Sequence, residues 1–261
     1  MNAFYPGLHQ ASDAQHFERC CIHAQRLAAR QKPLGCDDLL VDSQAFRVLE
    51  IHGDHVLSEI EYARRIEKIS RLCPKVTAVT QDYMCEQYIF DCREQLTGVR
   101  YTIADHQRLT IERYDAIRNE LDSSIYLMPV LQGYAVAEYL DHIQQYGERL
   151  AYDSWVGVGS VCKRNGNMRA IEEVLFQISE YRPDLKLHGF GVKTTALESS
   201  IVRSSLYSAD SMAWSFAARK ARRAGDMTRS ANDWREAETF TTKIKHQRVK
   251  QRAYQHRMEL V

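Results

Sequence analysis

Three aspartates stand where apolar runs end: Asp42 closes the run 39–41, Asp82 follows 76–80, and Asp210 follows a weaker run through Ser208-Ala209. A carboxylate set against apolar surface or another carboxylate acquires a raised pKa and can serve as acid, base or nucleophile. Two carboxylates flanking an anomeric carbon are the usual equipment for breaking a glycosidic bond. Taken singly, each reads first as a helix cap or a solvated carboxylate, and Asp42-Ser43 suits the N-cap of a following helix. Gly157-Val158-Gly159-Ser160-Val161-Cys162 begins like a dinucleotide fingerprint but lacks the third glycine and a later ribose-binding acid. Glycines at a run end instead let a flat ligand approach the backbone, and Gly189 and Gly191 repeat the arrangement one run later. No metal site is expected. There is no Cys-x-x-Cys, no cysteine follows Cys162, and Cys20-Cys21 with His23 is too tight for zinc. His52 and His55, around Gly53-Asp54, read as a loop beside the site rather than as ligands.

Positioning such groups requires a scaffold. Apolar runs at 39–41, 76–80, 125–131, 154–161 and 185–193, with the weaker one before Asp210, predict strands. Between them, 56–72 spaces Ile60, Ala63, Ile66 and Ile69 as one helical face, and 134–150 and 167–181 read likewise. Alternation of strand and helix predicts βαβ units and a parallel sheet. Asp42, Asp82, Gln132, Gly159 and Asp210 all fall at or near the C-terminal ends of predicted strands. Convergence of polar groups on one face favours an α/β fold of the TIM-type (β/α)8 barrel over an open sheet, with two strands hidden from the pattern.

The chain has 261 residues, 44% of them apolar and 26% charged, which suits a globular domain and excludes disorder as the main state. No apolar run approaches membrane-spanning length, and no basic region followed by an apolar stretch opens the sequence. Seven scattered cysteines fit a reducing compartment. A soluble cytoplasmic protein is expected. Residues 219–261 hold 12 Lys and Arg against 5 Asp and Glu, a net of +7, whereas residues 1–218 hold 23 against 29, a net of −6. This asymmetry predicts an acidic barrel over 1–218 and a basic helical extension over 219–261, packed on or next to it, that either meets a polyanion or is a solvated helix of mixed charge. The extension carries Trp234, Phe240 and Tyr254 among its cations and is expected to be helical from about Ser230.

The motifs also resemble a known family. Val41-Asp42-Ser43-Gln44-Ala45-Phe46 is similar to the Asp-Ser-Gly-Gly/Ala-Phe motif of tRNA-guanine transglycosylases and their DNA-acting relatives, and Val79-Thr80-Gln81-Asp82-Tyr83-Met84-Cys85-Glu86 to their second aspartate motif. Met128-Pro129-Val130-Leu131-Gln132-Gly133 is similar to their Val-Gln-Gly segment. Trp155-Val156-Gly157-Val158-Gly159-Ser160 and Leu187-His188-Gly189-Phe190-Gly191 fall where they carry Gly-Gly and Met-Gly-Val-Gly. Ser208-Ala209-Asp210-Ser211-Met212-Ala213-Trp214 occupies the nucleophile motif. The stretches 158–165, 188–196 and 208–214 particularly resemble the deazapurine-in-DNA protein A family, which inserts 7-deazaguanine bases into DNA. The resemblance runs in order from about Phe4 to Trp234.

That resemblance implies roles. Asp210 would be the nucleophile that forms a covalent enzyme–DNA intermediate, and Asp42 the general acid/base that handles the proton on the departing or arriving base. Asp82, Gln132 and Gly133 would bind the purine edge, with Gly159 and Gly189 lining the pocket, and Phe46 and His188 would cover the two faces of the base. The co-substrate would be a free 7-deazaguanine, with no cofactor. A duplex would have to open or flip the nucleotide out.

The departures bear on the substrate. Gln44 stands for a glycine and His188 for a methionine. Lys163 and Arg164 replace the Gly-Glu that helps tRNA enzymes choose their base, which favours a neutral deazaguanine. The C-terminal zinc motif of the tRNA enzymes is absent, which tilts the polymer toward DNA. Arg219, Lys220, Arg222 and Arg223 would join Lys163 and Arg164 in contacting phosphates. The extension either folds back on the barrel or joins a homodimer. The same chemistry on RNA and a non-catalytic binding subunit are the alternatives, and three retained aspartates argue against the latter.

Overall fold

The computed structural model describes residues 1–161 and 167–245. Among these residues nine parallel strands are interspersed with helices: β1 (Ala3–Pro6), β2 (Arg19–His23), β3 (Asp38–Asp42), β4 (Lys75–Val79), β5 (Tyr126–Met128), β6 (Val130–Leu131), β7 (Trp155–Val158), β8 (Lys186–Gly189) and β9 (Ser208–Ser211). The helices are α1 (Ala24–Leu27), α2 (Ala45–His52), α3 (Glu59–Ser70), α4 (Gln87–Thr97), α5 (Ile103–Glu120), α6 (Val136–Tyr146), α7 (Met168–Tyr181), α8 (Ser200–Ser205) and α9 (Ala213–Arg223). One sheet has the order β2-β3-β4-β5, the other β1-β9-β8-β7-β6. The fold is therefore α/β with parallel sheets. Parallel strands covered by helices are buried on both faces, which is why the middles of β2 and β3 are apolar without alternation.

Two edges bring the sheets together. A parallel bridge joins Gly7 to Cys21, and Leu8 N–H donates to Cys21 O at 2.9 Å. At the other edge the predicted strand 125–131 is divided at Pro129, with β5 bonded to β4 and β6 to β7. Proline has no N–H for a ladder, but its carbonyl accepts from Gly157 N–H at 2.9 Å.

The two strands that the pattern hid are β1 and β2. The sequence of β2, Arg-Cys-Cys-Ile-His, masks its buried centre with polar ends and cysteines. The helices α4 and α5 also lack a clear apolar stripe. The buried face of α5 includes His106, Gln107 and Thr110, polar groups satisfied internally rather than by water. By contrast α3 is plain in sequence. Ser58 and Glu61 form a capping box, and Ala63, Ile66 and Ile69 bury the expected face, but Ile60 is 43% exposed and Tyr62 is buried in its stead.

The described part of the basic extension shares the body's core. Ala237 and Ile244, in the helical run 234–245, are buried. Phe240 meets Phe4 with ring centroids 5.9 Å apart, and Trp234 stacks on His16 at 3.8 Å. Among the described residues no helix is long and apolar enough to cross a membrane.

Candidate active site

Asp42 is the last residue of β3 and Asp210 the third of β9, and Asp82 lies just beyond β4. The three carboxylates line one cavity of about 470 Å³, together with Phe46 and Gly159. The buried Cys21 thiol feels both Asp210 and Asp42, and burial together with these two charges pushes its pKa far up.

The chain turns sharply after Asp42. Gln44 has φ 64°, a left-handed conformation that side chains adopt at a cost. This orients the Gln44 N–H to donate to Asp42 Oδ1 at 2.8 Å. It also gives a backbone reason for the glycine that the resembling motif carries there. His23, the last residue of β2, places Nδ1 3.0 Å from Asp42 Oδ2. Burial alone would raise the Asp42 pKa. The His23 contact and charge, with the Gln44 amide, outweigh it and hold the carboxyl below its ordinary value. The reciprocal effect lifts His23 above 6.5 against its own burial. Between the ordinary values of 3.8 and 6.5 the pair is therefore ionic and holds one proton near Asp42.

Asp82 has the opposite character. Burial raises its pKa to about 7, with the charges of Asp42 and Glu86 adding to the rise and the Gln132 hydrogen bond opposing it. Gln132 Nε2 donates to Asp82 Oδ2 at 2.5 Å, Ser160 Oγ donates to Gln132 Oε1 at 3.2 Å, and His55 Nε2 contacts the Asp82 carbonyl at 3.0 Å. His55 is depressed to about 3, chiefly by burial, so it is neutral and donates Nε2–H to that carbonyl. His52 is exposed at the end of α2. Among the described residues no cluster of three or more His, Cys, Asp or Glu side chains could hold a metal ion.

Asp210 is held from behind. Its Oδ1 accepts from Gly191 N–H at 3.0 Å and lies 3.3 Å from His188 Nε2. His188 Nδ1 is 2.8 Å from Ser208 Oγ, which accepts the Trp155 indole N–H at 2.6 Å. A carboxylate facing Nε2 selects the tautomer with the proton there, so Ser208 donates to Nδ1 and His188 donates to Asp210.

Several sequence-based roles change in this geometry. His188 is fully buried and lies outside the cavity lining, so it orients Asp210 instead of covering a base; Phe190, two residues on, lines the cavity. Gln132 is also fully buried behind Asp82 and orients that carboxylate instead of meeting the purine edge itself. Gly133 and Gly189 lie outside the lining as well. A Cβ at Gly133 would come within 3.1 Å of Glu138 and Tyr139, and one at Gly189 within 2.7 Å of Val192, so both serve packing. Arg219, Lys220, Arg222 and Arg223 are exposed on α9, which leaves the cavity at Met212, so they stand roughly 10–16 Å along the helix axis. Lys163 and Arg164 lie outside the described residues. Arg47 supplies a cation at the cavity itself. The pattern reading missed Arg47, His23, Met84, Phe190 and Met212. His23 had a usable signal only if β2 had been recognised, because a strand's last residue faces the site.

Gly159 explains itself sterically. A Cβ there would lie 2.2 Å from Gln132 Nε2. Gly159→Ala is expected to displace Gln132 from Asp82 and cost about 1–3 kcal/mol. Urea unfolding measures this, and a variant as stable as the parent would show that the Gln132–Asp82 contact is unimportant.

A family model described as DpdA, DeoxyPurine in DNA protein A, matches residues 3–251. The chain belongs to this family. DpdA membership ties it to the modification of DNA, and the match takes in both the acidic body and most of the basic extension. No curated protein matches the chain.

Proposed function

We propose that this DpdA-family chain is a DNA guanine transglycosylase that exchanges guanine in DNA for a free 7-deazaguanine base. The observation that carries the reading is the meeting of Asp42, Asp82 and Asp210 around one base-sized cavity. We read the two sheets as one eight-stranded β/α barrel. The β1–β9 pairing, the Gly7–Cys21 bridge and the division of one strand at Pro129 support that closure. Its C-terminal face is then the site.

Asp210 attacks C1′ of a flipped or single-stranded nucleotide, and the C1′–N9 bond breaks as an ester bond to Asp210 forms. The electron pair leaves with guanine, which takes a proton from the His23–Asp42 pair. The incoming base gives its N9 proton to Asp42. Its N9 then attacks C1′, and Asp210 departs as carboxylate. One glycosidic bond replaces another and one proton is taken and returned, so no external energy source is needed.

Purified protein is mixed with single-stranded DNA, duplex DNA or RNA and a panel of 7-deazaguanines, and the digested nucleosides are analysed by mass spectrometry. A modified deoxynucleoside is the expected product. Product only in RNA, or none in any polymer with no covalent adduct, would overturn the proposal.

The Asp82 carboxyl gives a pH signature. A guanine edge offers N1–H and N2–H donors, which an ionised Asp82 accepts and a protonated one does not. Base affinity is therefore expected to weaken about tenfold for each pH unit below 7 and to level off above it. The same raised value makes folding less favourable as pH rises from about 4 through 7, because the folded state binds the extra proton. Titrations of free guanine at pH 5.5, 7 and 8.5 check the first effect. Asp82→Asn should bind guanine weakly at all three, and a pH-independent wild type would contradict the assignment.

A further inference from the structure

A second cavity, of about 630 Å³, adjoins the carboxylate cavity, and Phe46 lines both. Its other walls are Tyr88 and Phe90 from the first turn of α4, Tyr134 from the loop after β6, and Ile103 at the start of α5. Phe46 and α4 follow β3 and β4, the strands that lead to Asp42 and Asp82, and Tyr134 follows β6, which leads to Gln132. Tyr88 and Tyr134 are 52% and 56% exposed. Phe46 and Tyr88 lie nearly parallel, at an interplanar angle of 20° with centroids 6.1 Å apart. Tyr134 is set by its backbone, because the N–H groups of Tyr134 and Ala135 both donate to Glu138 Oε2, at 2.6 and 2.7 Å.

Half-exposed aromatic rings around an open cavity are poor core material and mark a binding surface. The chemistry of the walls narrows the ligand. Among the described residues no Lys or Arg lines this cavity, which makes it a poorer match to a phosphate or an acidic peptide. Flat aromatic walls accept any nucleobase face. Arg47, the neighbour of Phe46 in sequence, lines the first cavity and not the second. Its guanidinium pairs with Glu50, and exchanging that partner would let it meet the phosphate that joins two nucleotides.

We propose that this aromatic cavity stacks the base of the nucleotide next to the exchanged guanosine, so that two consecutive bases are splayed apart on either side of Phe46. The proposal rests on the reading of DNA as the polymer. Its test is direct binding rather than exchange, so the two can fail separately. Five-nucleotide single-stranded DNAs with one central guanine are used intact, or with an abasic site immediately 5′ or 3′ of it. Fluorescence anisotropy at fixed salt gives Kd for the wild type and for the Tyr88→Ala/Tyr134→Ala double variant.

An abasic site on one side is expected to raise the wild-type Kd about tenfold, with little effect on the other side. The double variant should bind the intact strand about tenfold more weakly and lose nothing further on the sensitive abasic strand. Equal wild-type affinity for all three strands would overturn the proposal. So would a double variant that loses the same factor again. If binding follows this pattern but no base is exchanged, the stacking cavity stands and the transglycosylase reading falls.

Discussion

Asp210→Asn is expected to end base exchange while fold and DNA binding persist. The asparagine Oδ1 can keep both contacts that hold the native Oδ1, the Gly191 N–H at 3.0 Å and the His188 Nε2 at 3.3 Å. What is lost is the negative charge that attacks C1′ and the carboxylate that leaves afterwards. Removing a nucleophile from a concerted constellation costs several orders of magnitude, so a drop of roughly 10⁴-fold or more is expected. Single-turnover exchange and the yield of a denaturant-stable protein–DNA adduct measure it. A variant retaining even about a hundredth of the native rate would remove Asp210 from the nucleophile's role.

Asp42→Asn should cost about 10²–10⁴-fold in exchange, the range for a general acid/base. It also carries a stability signature whose sign follows from the His23 pair. The depressed Asp42 value makes its contribution fade as pH falls through that value, below the ordinary 3.8. The raised His23 value makes its contribution fade as pH climbs through that value, above 6.5. Between those limits the ion pair is complete. In Asp42→Asn burial is the largest influence left on His23 and lowers it, with the Arg26 charge adding to that effect and the Asp210 charge opposing it. The variant should therefore lose the alkaline decline in stability that the parent shows. Urea unfolding at pH 6 and pH 9 compares them, and a parallel decline in both would mean that the pair does not couple as its 3.0 Å contact implies.

Asp42, Asp82 and Asp210 were legible because each closes an apolar run, and a strand end needs no knowledge of its neighbours. His188 was visible as a residue but not in its role. That role depends on β8–β9 register, in which His188 pairs with Ser208 and so stands against the strand of Asp210. Register across two strands is a tertiary property that neither strand's own pattern carries. Gln132 is similar: its fully buried amide reaches an aspartate 50 residues earlier. His23 was hidden along with β2. The aromatic cavity was hidden because its aromatic walls come from three separate elements, α2, α4 and the loop after β6, each with an ordinary tyrosine or phenylalanine.

The pairing of β1 with β9 joins Ala3 to Ser208, 205 positions apart. During synthesis at about 5–20 residues per second, β1 waits roughly 10–40 s for that partner to emerge. Its apolar Ala3, Phe4 and Tyr5 are meanwhile an open edge of the kind that invites wrong partners. The bridge from Gly7 to Cys21 gives the nascent chain a provisional neighbour much sooner. The same order of events separates recognition from reactivity. A chain still on the ribosome presents Asp42 and Asp82 before Asp210 exists, so under the proposed mechanism growing protein would not become tethered to DNA by an ester. The proposed capacity to break a DNA glycosidic bond would arrive only with β9, the strand that completes β1.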